Sequence, residues 1–90
     1  MKKELFKIIS NSMYPILKKG DVAIVERIGF EEIKIGDIIA FKIEDKIFIH
    51  RVVIIRNNII TTKGDNNLYN DNVKISFANY IGKYVDKITI

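Results

Sequence analysis

Ile47-Phe48-Ile49-His50-Arg51-Val52-Val53-Ile54-Ile55-Arg56-Asn57-Asn58-Ile59-Ile60-Thr61-Thr62-Lys63 decides the fold. Two runs rich in β-branched side chains flank an Asn-Asn pair, and Asn tolerates the positive φ that a two-residue hairpin turn demands. The stretch reads as strand, tight turn, strand, over Ile47–Arg56 and Ile59–Lys63. The same bias runs along the chain, where 20 Ile, 6 Val and 3 Thr stand against 3 Leu and 3 Ala. Branched side chains pack well on pleated surfaces. Val22–Ile28, Ile38–Glu44 and Ile81–Ile90 read as further short strands bounded by Gly, Asp or Asn. Glu44-Asp45 offers a second hairpin position, and Asn66–Asn72 reads as a polar loop that presents side chains. Lys3–Ile9 fits either one helical turn or an edge strand, because periodicity cannot choose at that length. The expectation is a mainly β chain folded as a single small domain over residues 1–90, with no repeat, linker or low-complexity stretch.

Composition narrows the function classes. A chain of 90 residues has room for one small core and not for two. An apolar fraction of 48% beside 29% charged residues is a globular mix, which excludes a wholly disordered or fibrous chain. No apolar run approaches the roughly 18–20 residues of a membrane-spanning helix. Met1–Ile9 lacks the long apolar core and small-residue cleavage site of a secretory signal. The expected location is therefore cytoplasmic, or peripheral at a membrane. The absence of Cys excludes disulfides, thiolate metal sites and a cysteine nucleophile. With one His, zinc would have to rely on carboxylates, a poor fit to its preferences, so neither metal nor other cofactor is expected. The net charge of +4 is spread over Lys and Arg interleaved with Asp and Glu. That pattern describes a solvated basic surface, and no nucleic-acid partner is expected.

Three local patterns can carry chemistry, and each also has a purely structural reading. Ser10-Asn11-Ser12-Met13-Tyr14-Pro15 suits a helix cap or turn. His50, inside an apolar strand, suits a half-buried, hydrogen-bonded side chain. Gly64-Asp65-Asn66-Asn67 suits a turn, as do Gly20-Asp21 and Gly36-Asp37. Together, however, Ser12, the only His, and a loop holding Asp65 and Asp71 form an inventory of nucleophile, base and orienting carboxylate. A serine hydroxyl attacks poorly near neutral pH unless a base takes its proton, and imidazole titrates in the range to do so.

These residues resemble the signal peptidase I family of serine peptidases, peptidase family S26, in the His-containing branch of archaea, the endoplasmic reticulum and sporulating bacteria. Ser10-Asn11-Ser12-Met13-Tyr14-Pro15 is similar to that family's nucleophile box, and Gly36-Asp37-Ile38-Ile39-Ala40-Phe41 to its Gly-Asp box. His50-Arg51-Val52 is similar to the base box, and Thr62-Lys63-Gly64-Asp65-Asn66-Asn67 with Asp71 to the acidic box. Ile81-Gly82-Lys83-Tyr84-Val85 is similar to the strand that follows. The boxes stand in family order over residues 10–85. The resemblance implies Ser12 as nucleophile and His50 as general base. The orienting carboxylate would be Asp71, which matches the position usually paired with the His, with Asp65 supporting from the Gly-Asp position. The Ser12 backbone N–H, helped by the Ser10 hydroxyl, would hold the oxyanion.

It further implies a coiled antiparallel β-sheet of the signal peptidase/LexA-like type. The expected substrate is a signal or leader peptide, or a preprotein, with small residues before the cut, bound extended along a sheet edge. Members of that family usually carry membrane anchors, and none is evident in this sequence, so the closer resemblance is to soluble signal-peptidase-like proteins. A membrane-surface contact or an anchoring partner would restore the local concentration that an anchor provides. Two other readings stand beside the endopeptidase. One is a non-catalytic peptide-binding module, which has no chemical need for Ser12 or His50. The other is a basic nucleic-acid-binding β-domain using Phe41, Phe48 and Lys42, side chains that an apolar core explains more simply.

Overall fold

The Ile-rich stretch forms a hairpin in the computed structural model, which describes residues 2–89. Among these residues lie seven strands: β1 (Lys3–Lys7), β2 (Val22–Glu26), β3 (Ile38–Ile43), β4 (Lys46–Arg56), β5 (Ile59–Lys63), β6 (Lys74–Ile75) and β7 (Tyr80–Ile88). One short 3-10 turn covers Phe30–Glu32. The strands make one sheet in the order β1-β2-β7-β3-β4-β5-β6, antiparallel throughout. This is the mainly β, antiparallel class expected from the sequence. Lys3–Lys7 resolves as an edge strand, not a helical turn, with alternately exposed and half-buried residues. β2 is shorter than the expected Val22–Ile28, because the Ile28 N–H folds back to the Glu26 carbonyl at 2.8 Å. β7 begins one residue early and ends at Ile88, and the expected terminal Ile90 lies outside the described residues. β6 was not expected, since two residues carry no readable alternation.

Turn chemistry sets the register. Asn57 and Asn58 both adopt positive φ, 52° and 62°, as the β4–β5 hairpin requires. Glu44, at φ 55°, turns β3 into β4. The sequence pattern Lys-x-Gly-Asp occurs twice and builds the same turn each time. The Lys18 and Lys34 N–H groups donate to Oδ2 of Asp21 and Asp37, both at 2.9 Å, while Gly20 and Gly36 take φ near 100° (100° and 99°). Each turn delivers the chain into a strand, β2 and β3.

β3 lies at the centre and carries a core on each face. Ile38 and Ala40 pack with Met13, Leu17, Val25 and Ile49, whereas Ile39 and Phe41 pack with Val52, Ile60 and Ile75. Successive strand residues point to opposite faces, so an unbroken apolar run is what a doubly covered strand needs. Full burial of Leu17, Ile39, Phe41 and Ile60 contributes roughly 1.5–3 kcal/mol each. The sheet covers both faces of β3 by coiling, helped by register shifts at Ile24/Val25, Ala40/Phe41 and Val52/Ile54. Gly82 lets β7 approach β2 closely, since a Cβ there would lie 2.6 Å from the Glu26 carbonyl oxygen. Among the described residues no helix is long and apolar enough to cross a membrane.

Candidate active site

Residues Ser10–Leu17 form a turn pinned by two buried side chains, Met13 and Leu17, with the Leu17 N–H bonded to the Met13 carbonyl at 3.0 Å. Within it Asn11 does the capping work, its side-chain oxygen accepting from the Lys19 N–H at 3.1 Å. The Ser12 hydroxyl is left free of the turn's backbone and meets His50 Nε2 at 3.1 Å. His50 sits in the middle of β4, buried, its ring 6.2 Å between centroids from both Phe41, in a T-shaped contact, and Phe48, at a tilt of 55°. Its other nitrogen, Nδ1, lies 2.6 Å from Oδ2 of Asp71. An ionised carboxylate only accepts hydrogen bonds, so the proton belongs on Nδ1 and Nε2 is left to accept from the serine. Ser12, His50 and Asp71 therefore stand in hydrogen-bonded series, drawn from a turn, a strand and a loop 59 positions apart in the chain.

Asp71 is held from β5. Its N–H donates to the Thr62 carbonyl at 2.8 Å, and the Thr62 hydroxyl donates to Asp71 Oδ2 at 2.7 Å. Asp65 is placed elsewhere. Its two oxygens take a bidentate bond from Arg51, Nε at 2.8 Å and Nη2 at 2.7 Å, while Arg51 Nη1 donates to the Gly36 carbonyl. Those bonds and the guanidinium charge hold the Asp65 carboxyl below the usual carboxylate range and raise Arg51 further. His50 and Arg51, adjacent on β4, thus face opposite sides of the strand and take one acidic-box carboxylate each.

The segment after β5 also braces the serine. Asn66 N–H donates to the Ser12 carbonyl at 2.8 Å, and a Cβ at Gly64 would lie 2.8 Å from that same oxygen. The Ser10 hydroxyl is 3.3 Å from Ser12 Oγ and accepts from the Ser12 N–H at 3.4 Å. Lys63 turns away to the Gly64 carbonyl, at 3.2 Å. Ser12 and His50 open on a cleft of about 620 Å³. One wall is Phe6–Ser10, leaving β1, and the other is Asp45–His50. β5 pairs with β4 only from Arg51 onward, so Lys46–His50 has one edge without a strand partner among the described residues. Neither the cleft nor the Thr62 and Gly36 contacts follow from reading the sequence, because each depends on which edge of β4 is left without a partner and on the path of the loop after β5.

A β-sheet coiled in this way, with a hydroxyl, an imidazole and a carboxylate in series at the mouth of a cleft, defines a peptidase-like class of protein. The chain belongs to the Peptidase S24-like family, whose model matches residues 3–85. It is 36% identical over 70 residues to the signal peptidase complex catalytic subunit SEC11 of the yeast Lodderomyces elongisporus, covering 71% of this chain and 42% of that protein. It is also 49% identical over 39 residues to an uncharacterised protein of Methanocaldococcus jannaschii, covering 39% of this chain and 19% of that one. The chain thus spans less than half the length of either relative. These similarities place it in the superfamily that joins S24-like and signal peptidases, coarser than the branch expected from the sequence boxes.

Proposed function

We propose that the chain is a serine endopeptidase of the His-containing signal peptidase branch, with residues 1–90 acting as one catalytic domain that cuts signal or leader peptides after small residues. The observation that carries this reading is the series Ser12 Oγ, His50 Nε2, His50 Nδ1, Asp71 Oδ2, with spacings of 3.1 and 2.6 Å at its two hydrogen bonds. Ser12 Oγ attacks the scissile carbonyl carbon while His50 Nε2 takes its proton, and the Asp71 carboxylate stabilises the imidazolium through Nδ1–H. The oxyanion is received by the Ser12 N–H, which gives up its long 3.4 Å bond to the Ser10 oxygen, with the Ser10 hydroxyl turning to donate beside it, and each such donor supplies about 3 kcal/mol. Collapse breaks the C–N bond as His50 returns the proton to the leaving amine. Water, deprotonated by the same imidazole, then releases the acyl group from Ser12. Asp65 supports this machinery at one remove, by holding Arg51.

The substrate lies extended in the cleft and pairs with the unpaired edge at Lys46–His50. Ile9, Ile47 and Phe48 are exposed at the cleft. They suit an apolar substrate segment and a contact with a membrane surface or an anchoring partner. The word "signal peptidase" in the name of the yeast relative supports the same substrate class.

The test is mass spectrometry of a peptide pool with small residues around candidate cut sites, incubated with wild type and Ser12→Ala, with and without lipid or detergent. Cuts after small residues by wild type alone are the expected result. Equal cutting by both proteins, or cutting by neither in any condition, overturns the assignment.

A further inference from the structure

The Thr62 side chain is completely buried, at 0% exposure, yet it carries a hydroxyl. A buried hydroxyl without a partner costs about 1–3 kcal/mol, so its position on β5 has to be explained by the bond it makes. That bond goes to Oδ2 of Asp71, at 2.7 Å. The same oxygen accepts from His50 Nδ1 at 2.6 Å. Two donors from two adjacent strands therefore converge on one carboxylate oxygen.

The rest of the loop gives Asp71 little help. Leu68 and Tyr69 are 87% and 80% exposed and belong to no strand or helix. Asp71 instead meets Thr62 twice, through its N–H to the Thr62 carbonyl at 2.8 Å and through its side chain. The backbone bond fixes the height of the residue against β5, and the hydroxyl fixes the rotation of the carboxylate about its own axis. Without the hydroxyl, the carboxylate turns about its terminal torsion, a broad and soft coordinate, and Oδ2 is no longer aimed at the imidazole. Thr61, the neighbouring residue, points to the opposite face and accepts from Lys74 at 2.9 Å. In the Thr61-Thr62 pair, Thr62 is therefore the one turned toward the site.

We infer that Thr62 is a positioning residue, which acts through Asp71 to hold the His50 imidazole in the Nδ1–H tautomer with Nε2 turned to Ser12. The inference rests on the endopeptidase reading for its kinetic consequence but not for its geometric one. Threonine at this place is then a requirement of the site and not of the strand, where valine packs equally well.

The experiment compares Thr62→Val, which keeps the branched shape, with Thr62→Ser, which keeps the hydroxyl. Peptide cleavage supplies kcat and KM. Proton NMR follows the His50 Nδ1–H, which resonates far downfield while it is shared with a carboxylate. Thr62→Val is expected to lower kcat about tenfold with KM unchanged and to lose or broaden the downfield resonance, while Thr62→Ser restores both. Thr62→Ala repeats the comparison where the valine variant does not fold. Wild-type kcat and resonance in the valine or alanine variant overturn the inference. A serine variant as impaired as the valine one also overturns it, because the loss then belongs to packing. If wild type cuts no peptide, the endopeptidase reading fails, and the resonance alone still decides whether Thr62 orients the pair.

Discussion

His50 and Arg51 are neighbours in sequence, but strand alternation sends them to opposite faces of β4, and each closes on a different carboxylate. This separation divides the acidic box into two jobs. Asp71 bonds the imidazole, the orienting role of the proposed mechanism, and Asp65 ties Arg51, and through it the Gly36 turn, to the segment that braces Ser12. The two substitutions should behave differently. Asp71→Asn keeps the shape but favours the wrong tautomer, and its kcat is expected to fall on the order of 10⁴-fold with little change in melting temperature. Asp65→Asn breaks a bidentate, partly exposed ion pair and is expected to cost about 1 kcal/mol in denaturant unfolding. The pair also predicts an acid limit. Asp65's folded value lies below its ordinary 3.8, so the stability it contributes is complete above that pH. It is lost as the pH falls below 3.8 and through the lowered folded value, and Asp65→Asn should flatten the unfolding curve in that window.

At the scale of elements, the site depends on how closely particular backbones approach. β7 crosses β2 where Gly82 has no side chain, and a methyl there would meet the Glu26 carbonyl at 2.6 Å and Val25 Cγ1 at 2.8 Å. Gly82→Ala is therefore expected to destabilise the protein by about 1–3 kcal/mol, read as a lower denaturant midpoint at unchanged slope. The strands around this crossing were legible to different degrees. The β4–β5 hairpin could be placed from its Asn pair, and β5 matches its expected span, because turn type and branched residues agree there. β6 and the 3-10 turn at Phe30–Glu32 could not, since two or three residues are too few for a period.

For the whole molecule, the sheet order makes β7 the keystone. It joins β2 on one side to β3 on the other, linking the β1–β2 pair to the β3–β6 array. The serine turn follows β1 and leads into β2, whereas His50, Thr62 and Asp71 all lie beyond β3. Within the sheet the two parts of the site are thus joined across β7, and outside it by the Asn66 bond to Ser12 and the packing of Met13 and Leu17. A chain ended at Asn79 is expected to lose its cooperative thermal transition, measured by circular dichroism, and with it the Ser12–His50 contact. A cooperative transition in that truncated chain would show that the serine turn docks without β7, through Met13, Leu17 and its bonds to the segment after β5.

The sequence by itself determined the class of fold and supplied the candidate residues of the site. Branched residues and turn-forming Asn and Gly-Asp pairs act locally, so strands and hairpins could be read without knowing what they pack against. Ser12, His50 and the two carboxylates could be named because their chemistry is a property of residue type. Only the tertiary structure decided which carboxylate meets the imidazole, that the buried Thr62 hydroxyl bonds the same oxygen, and that the segment leaving β1 and the start of β4 wall a cleft. Those outcomes depend on the path of an irregular loop and on which edges a coiled sheet leaves open. Both are set by contacts between segments tens of residues apart, on which local propensity has no purchase.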